Sequence, residues 1–222
     1  MSGLAFVGHL IVKRGGMTYI GNAFGLNRSI TGGEKSVYRA RVDYLKTLPV
    51  RTGAVVMLGD SLTERAEWSE LFPGSNILNR GVGGDTVPGA NSRIDDYLGD
   101  KPQKLFIMFG ANDLMRHAPV EAILADYRRL LKHVRDSSPA TAIFVQAVLP
   151  CAQIPAIATD SLNKGLARLA TETGTTFIDT SSPFRTTDGK PDPRLFLQDG
   201  IHLTADGYWT WRKVIAPAIR RR

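Results

Sequence analysis

Val55-Val56-Met57-Leu58-Gly59-Asp60-Ser61-Leu62-Thr63 sets four apolar residues straight against a glycine, an acid and a serine. An apolar run of that length, closed by a turn signal, reads as a buried strand of a parallel sheet. Open α/β sheets put their chemistry just beyond the carboxyl ends of such strands. Ser61 stands there, at the turn, and is a candidate nucleophile. Serine also favours the first cap of a helix, so Ser61 alone fits that plainer role equally well.

The same grammar repeats outward from this stretch. A helix is expected from about Glu34 to Leu48, stopped by Pro49, and the first strand covers Ala54 to Leu58. A short helix over Glu64 to Leu71 ends at Pro73-Gly74. Asn76 to Asn79 form the second strand, which runs into Arg80-Gly81-Val82-Gly83-Gly84-Asp85-Thr86 and a helix to about Leu98. The third strand, Lys104 to Phe109, meets Gly110-Ala111-Asn112-Asp113-Leu114. An amphipathic helix over Val120 to Asp136 carries Ile123, Leu124, Tyr127, Leu130, Leu131 and Val134 on one side. Then come a strand from Ala142 to Val148, a helix from Thr159 to Thr173 capped by Gly174, and a short strand Thr176 to Ile178. A polar loop, Ser181 to Asp199, leads to Ile201-His202-Leu203 and a last helix over Ala205 to Ile219. Five strands alternating with helices predict one doubly wound α/β domain around a five-stranded parallel sheet.

Composition narrows the function classes. The 222 residues are 43% apolar and 22% charged, ordinary for a soluble globular chain. The net charge of +7 is not gathered on a helix face or interleaved with aromatics, so nucleic acid is not an expected partner. The densest basic cluster, Arg220-Arg221-Arg222, reads as a solvated tail. The single cysteine, Cys151, permits no internal disulfide and reads as a small buried thiol. No stretch reaches the length of a membrane span. The apolar residues Leu4 to Val12 are followed, not preceded, by Lys13-Arg14, which is unlike a secretory signal and points to the cytoplasm. Residues 1–32 read as an N-terminal extension, with Met17 an alternative start, ahead of a domain over 33–222. The apolar residues 4–12 would suit a homo-oligomeric interface.

Chemistry gathers at the strand ends: Ser61 after the first, Gly84 after the second, Asn112 after the third, and Asp199 with His202 in the last loop. These are the parts of an acyl-transfer site. A neutral imidazole at His202 would take the serine proton and later protonate the leaving alkoxide. Asp199, three residues earlier, would fix its tautomer. The backbone N–H groups of Ser61 and Gly84 and the amide of Asn112 could surround the oxyanion. Each piece has a plainer reading: His202 as a partly buried histidine, Asp199-Gly200 as a turn, Asn112-Asp113 as a helix cap. The glycine run suggests dinucleotide binding, but Thr86 stands where G-x-G-x-x-G needs glycine. The four histidines, His9, His117, His133 and His202, lack metal-ligand spacing.

Taken together, Gly59-Asp60-Ser61-Leu62, the Asn79-to-Thr86 turn, Gly110-Ala111-Asn112-Asp113 and Asp199-Gly200-Ile201-His202 resemble the four signature blocks of the SGNH hydrolases, the GDSL esterase family. The likeness extends over roughly residues 34–216. Gly-Val-Gly-Gly-Asp-Thr looks most like the branch of platelet-activating-factor acetylhydrolase catalytic subunits and bacterial carbohydrate-ester deacetylases. The resemblance implies a flavodoxin-like α/β/α sandwich and no metal or organic cofactor. It also implies Ser61 as nucleophile, Gly84 (with Gly83 as fallback) and Asn112 in the oxyanion hole, and Asp199 and His202 completing a triad. Thr63 breaks the G-x-S-x-G elbow, which suggests a shallow site for short acyl groups. The expected activity is that of a serine esterase on a short ester, acetyl above all, an acetylated carbohydrate being one candidate. Acyl transfer on the same triad, a silent binding module and nucleotide binding are the rivals. The segments around Trp68, Val87-Pro88, Leu114 to Pro119, Cys151 to Ala158 and Phe196 are expected to shape the pocket.

Overall fold

The computed structural model of the chain describes residues 32–49, 51–99 and 101–220. The expectations for the extension 1–32, for Met17, for the apolar residues 4–12, for His9 and for Arg221 and Arg222 therefore lie outside the described residues, Gly32 apart. The chain divides into two compact units, Met1–Arg39 and Ala40–Arg222, and the site lies wholly within the second.

The described elements are α1 (Gly32–Thr47), β1 (Val55–Gly59), α2 (Ser61–Glu64), α3 (Trp68–Leu71), β2 (Ile77–Gly81), α4 (Val87–Arg93), α5 (Asp95–Leu98), β3 (Lys104–Met108), α6 (Ala111–Met115), α7 (Val120–Ser137), β4 (Ala142–Gln146), α8 (Ala156–Thr173), β5 (Thr176–Ile178) and α9 (Ala205–Arg220). The strands form one sheet of order β2-β1-β3-β4-β5. Every pairing is parallel. This is the doubly wound arrangement of flavodoxin-like folds, with its reversal between β1 and β3. Val55 pairs with Ile77 and Lys104, so β1, β2 and β3 end level and their following turns share one edge.

β1 and β3 are buried along their whole length, which is why they read as continuous apolar runs. Val55, Met57, Phe106, Met108 and Phe144 share a cluster with Trp211, Ile215 and Ile219 of α9. Alternate residues point to the other face. Trp68 meets Trp211 edge-on at 5.0 Å, and Trp211 Nε1 donates to Gln146 Oε1 at 2.7 Å. The long α7 buries Ile123, Tyr127, Leu130, Leu131 and Val134, as its apolar spacing predicts. It approaches α8 closely at Gly165, where a Cβ would lie 2.4 Å from Leu124 Cδ1. α8 ends, as expected, on a left-handed Gly174.

Two expected helices differ. Glu64 to Leu71 is two short helices, because Asn79 Nδ2 donates to the carbonyls of Glu64 (2.9 Å) and Ala66 (3.2 Å) and withdraws them from helical bonding. The helix expected from the glycine turn to about Leu98 is likewise two, α4 and α5, with Ile94 between them.

Candidate active site

The turn after β1 is made by its sequence. Gly59 has no room for a side chain: a Cβ there would lie 2.0 Å from Thr63 Oγ1 and 2.9 Å from the Met108 carbonyl. α2 can therefore start directly at the strand end. Its cap is Asp60, whose Oδ1 accepts from the N–H of Leu62 at 3.0 Å. Ser61 is thus not the cap but the first helical residue, half-buried at the sheet edge.

The loop carrying the other two residues returns between β5 and α9. Phe196 and Leu203 form an antiparallel bridge, and the N–H of Leu197 donates to the His202 carbonyl at 2.7 Å. Gly200 closes the turn at φ +66°, packed on Ala152. Asp199 Oδ1 accepts from the N–H groups of Ile201 and His202, both at 2.9 Å. Its other oxygen, Oδ2, lies 2.6 Å from His202 Nδ1. That bond, helped by the two backbone donors, holds the Asp199 carboxyl down to about 2 although the residue is exposed. A carboxylate only accepts, so Nδ1 carries the proton and Nε2 is left to accept. Nε2 lies 3.1 Å from Ser61 Oγ.

Asn112 sits in α6, which follows β3, and is not its cap; Gly110, at φ +124°, holds that position. Asn112 Nδ2 donates to the Asp85 carbonyl at 2.9 Å and, at 3.4 Å, to Asp60 Oδ2. It therefore faces both the turn after β2 and the residue beside Ser61. In that turn Gly84 adopts φ +73°, which favours glycine. Arg116 Nη2 donates to the Gly84 carbonyl at 2.6 Å. A Cβ on Gly83 would lie 3.9 Å from Ser61 Cβ, so the turn borders the serine. The N–H of Gly83 is taken up by Glu64 Oε2.

Below these residues lies a polar layer that spacing in the sequence does not reveal. Asp85 Oδ2 is 2.6 Å from Arg93 Nη2, with both side chains buried. Arg93 also donates to the Arg80 carbonyl (3.0 Å) and the Tyr97 hydroxyl (3.0 Å). Burial opposes its charge, but Asp85 and Tyr97 outweigh that and raise its pKa. The pair fixes the turn; losing one partner of such a pair costs about 3–5 kcal/mol. Burial, reinforced by Asp85 and Asp113, pushes the Asp60 carboxyl up to about 7. Burial likewise lifts Asp113, which accepts from the N–H of Val87, to about 6. The signal available in sequence was only that these acids follow strand ends.

A small, mostly apolar pocket adjoins the site. Leu62, Ala111, Leu149, Cys151 and Ile201 line it, with Asp60 on its wall. Leu62 neighbours Ser61, Ala111 neighbours Asn112 and Ile201 neighbours His202. The buried Cys151 takes part as expected. Trp68 and Phe196 do not: both are core residues, Phe196 packing on Phe184 at 5.8 Å. Among the described residues, no three His, Cys, Asp or Glu side chains stand close enough to hold a metal ion. No described helix is long and apolar enough to cross a membrane.

The chain matches the GDSL-like Lipase/Acylhydrolase family over residues 57–210. It is 26% identical over 167 residues to the human platelet-activating factor acetylhydrolase IB subunit alpha2, covering 69% of this chain and 70% of that one. Among solved structures it is similar to a Streptococcus pneumonia protein provisionally described as a platelet activating factor (22% identical, TM-score 0.75, 83% of this chain and 92% of that one). It is also similar to Axe2, an acetylxylan esterase from Geobacillus stearothermophilus (19% identical, TM-score 0.63, 79% and 98%). Likeness at these identities shows the shared fold.

Proposed function

Because the chain belongs to the GDSL-like lipase/acylhydrolase family and is thereby a hydrolase, we propose that it cleaves short acyl esters, acetyl above all, through an acyl-enzyme on Ser61. The observation that carries this reading is the line from Ser61 Oγ to His202 Nε2 (3.1 Å) and from Nδ1 to Asp199 Oδ2 (2.6 Å).

His202 Nε2 takes the hydroxyl proton as Ser61 Oγ attacks the ester carbonyl. Asp199 holds the ring and stabilises the imidazolium without itself taking the proton. The carbonyl oxygen becomes negative in the tetrahedral intermediate, and the N–H groups of Ser61 and Gly84 and the Asn112 amide receive it. Asn112 turns its weaker bond, the one to Asp60 at 3.4 Å, toward that oxygen. Collapse breaks the ester C–O bond, and the imidazolium gives its proton to the leaving alkoxide. Water, deprotonated by the same nitrogen, then releases the acid and restores Ser61.

The acyl part lies in the pocket of Leu62, Ala111, Leu149, Cys151 and Ile201, which suits a group about the size of a methyl. Relatives named for acetyl esters, an acetylhydrolase and an acetylxylan esterase, agree with that size and make an acetylated carbohydrate a substrate to test first. The test is hydrolysis of p-nitrophenyl esters from acetate to decanoate by wild type and Ser61→Ala. Turnover that falls with chain length and disappears in the variant supports the reading. Turnover equal in the two proteins refutes it.

A further inference from the structure

We propose that Glu64 is a positioning residue for the oxyanion hole: its carboxylate occupies the N–H of Gly83 and so fixes the turn in which Gly84 offers its own N–H to the substrate. This rests on the assignment of Ser61, Gly84 and Asn112 above.

Glu64 lies three residues after Ser61, on the same helix, so nucleophile and carboxylate are neighbours on one surface. Its Oε2 accepts from the N–H of Gly83. Its Oε1 lies 3.3 Å from Arg41 Nε, and the same nitrogen donates to the Gly81 carbonyl at 3.2 Å. The backbone joins in. Asn79 Nδ2 donates to the Glu64 carbonyl at 2.9 Å, while Asn79 Oδ1 accepts from the N–H of Gly81 at 2.9 Å. A Cβ on Gly81 would lie 2.1 Å from Glu64 N, so α2 and the end of β2 touch backbone to backbone. The helix that carries the nucleophile is thereby tied to the turn that carries the oxyanion donor.

The chemistry needs both halves of this arrangement. A carboxylate makes a strong, charge-assisted bond to an amide N–H, which pins the Gly83 peptide. Unbalanced, a negative charge so near would repel the developing oxyanion. Arg41 supplies the balance on the opposite oxygen. Two more contacts hold the far side of the turn, Arg116 on the Gly84 carbonyl and Asn112 on the Asp85 carbonyl. Unlike those two, Glu64 acts on an N–H, that of Gly83 beside Gly84, and so decides which of the two amides remains for the substrate.

The test measures kcat, KM and melting temperature for Glu64→Ala, Glu64→Asp and Glu64→Gln on p-nitrophenyl acetate, with Ser61→Ala as control. Removing the acceptor should lower kcat about 10- to 100-fold, as misplacement of one donor does, with KM within about threefold. Glu64→Asp, too short to reach Gly83, should fall as far despite keeping its charge. Glu64→Gln, whose amide oxygen still accepts from Gly83 while its NH2 group faces the Arg41 guanidinium, should recover part of the loss. A kcat within twofold of wild type in Glu64→Ala and Glu64→Asp overturns the proposal, as does an equal loss in Glu64→Gln or a loss confined to KM. If Glu64→Ala does not fold, the comparison of Glu64→Asp with Glu64→Gln decides. An active Ser61→Ala protein would instead overturn the underlying assignment, whatever the Glu64 variants do.

Discussion

Asp60→Asn separates the buried charge beside Ser61 from everything else in the site. The folded chain raises this carboxyl from 3.8 to about 7, mainly through burial and further through Asp85 and Asp113. Between those two values the native chain keeps a proton that the unfolded chain has released. The native state then binds more protons, so stability falls as pH rises through this window. Going from about pH 5 to about pH 8, Asp60 alone should cost about 2–3 kcal/mol. Asp113, raised to about 6, adds a smaller loss of the same sign in both proteins, so it largely cancels in the comparison. The substituted amide has no proton to lose, and its oxygen can still accept from the N–H of Leu62. Urea denaturation of both proteins at the two pH values reads the effect. Any fixed cost of the substitution drops out when the variant-minus-wild-type difference is compared between them. That difference should move by about 2–3 kcal/mol in favour of the variant at the higher pH. A difference that stays the same within about 0.5 kcal/mol refutes the buried, proton-holding Asp60.

Three further outcomes are expected. Asp199→Asn should leave the loop in place but present the wrong imidazole tautomer, lowering kcat by up to about 10⁴, as read by p-nitrophenyl acetate hydrolysis. Gly81→Ala would press a Cβ to 2.1 Å from Glu64 N; we expect a loss of about 1–3 kcal/mol in denaturant unfolding together with a lower kcat. Ile201→Ala should enlarge the acyl pocket and raise the butyrate-to-acetate ratio of kcat/KM about tenfold, and an unchanged ratio would remove Ile201 from the pocket.

The sheet was legible because its central strands β1 and β3 are buried on both faces and therefore appear as uninterrupted apolar runs, Val55 to Leu58 and Leu105 to Phe109. The candidate site was legible for a related reason. A parallel sheet collects the residues after its strands along one edge, so Ser61, Gly84 and Asn112 can be placed together without knowing a single distance. What escaped depends on side chains crossing between distant segments. Asn79 splits the helix expected over Glu64 to Leu71 through bonds to two of its carbonyls, and no local propensity announces that. Asp85 precedes the helix Val87–Arg93 and Arg93 stands in its last turn, so the periodicity of no single element brings the two together. In the segment around Trp68, expected to shape the pocket, the Trp68 ring itself packs into the core against Trp211 from the far end of the chain. Nor does any local pattern announce that Glu64 accepts from the N–H of Gly83 in the next turn.

The most direct measurement is labelling of the intact chain with a fluorophosphonate, followed by peptide mapping by mass spectrometry. The reagent reacts with a serine hydroxyl only where a neighbouring base activates it. The geometry of Ser61, His202 and Asp199 predicts a single adduct on the peptide containing Ser61, lost in His202→Ala. An adduct on another residue, or equal labelling of Ser61 without His202, would contradict a serine nucleophile activated by that histidine.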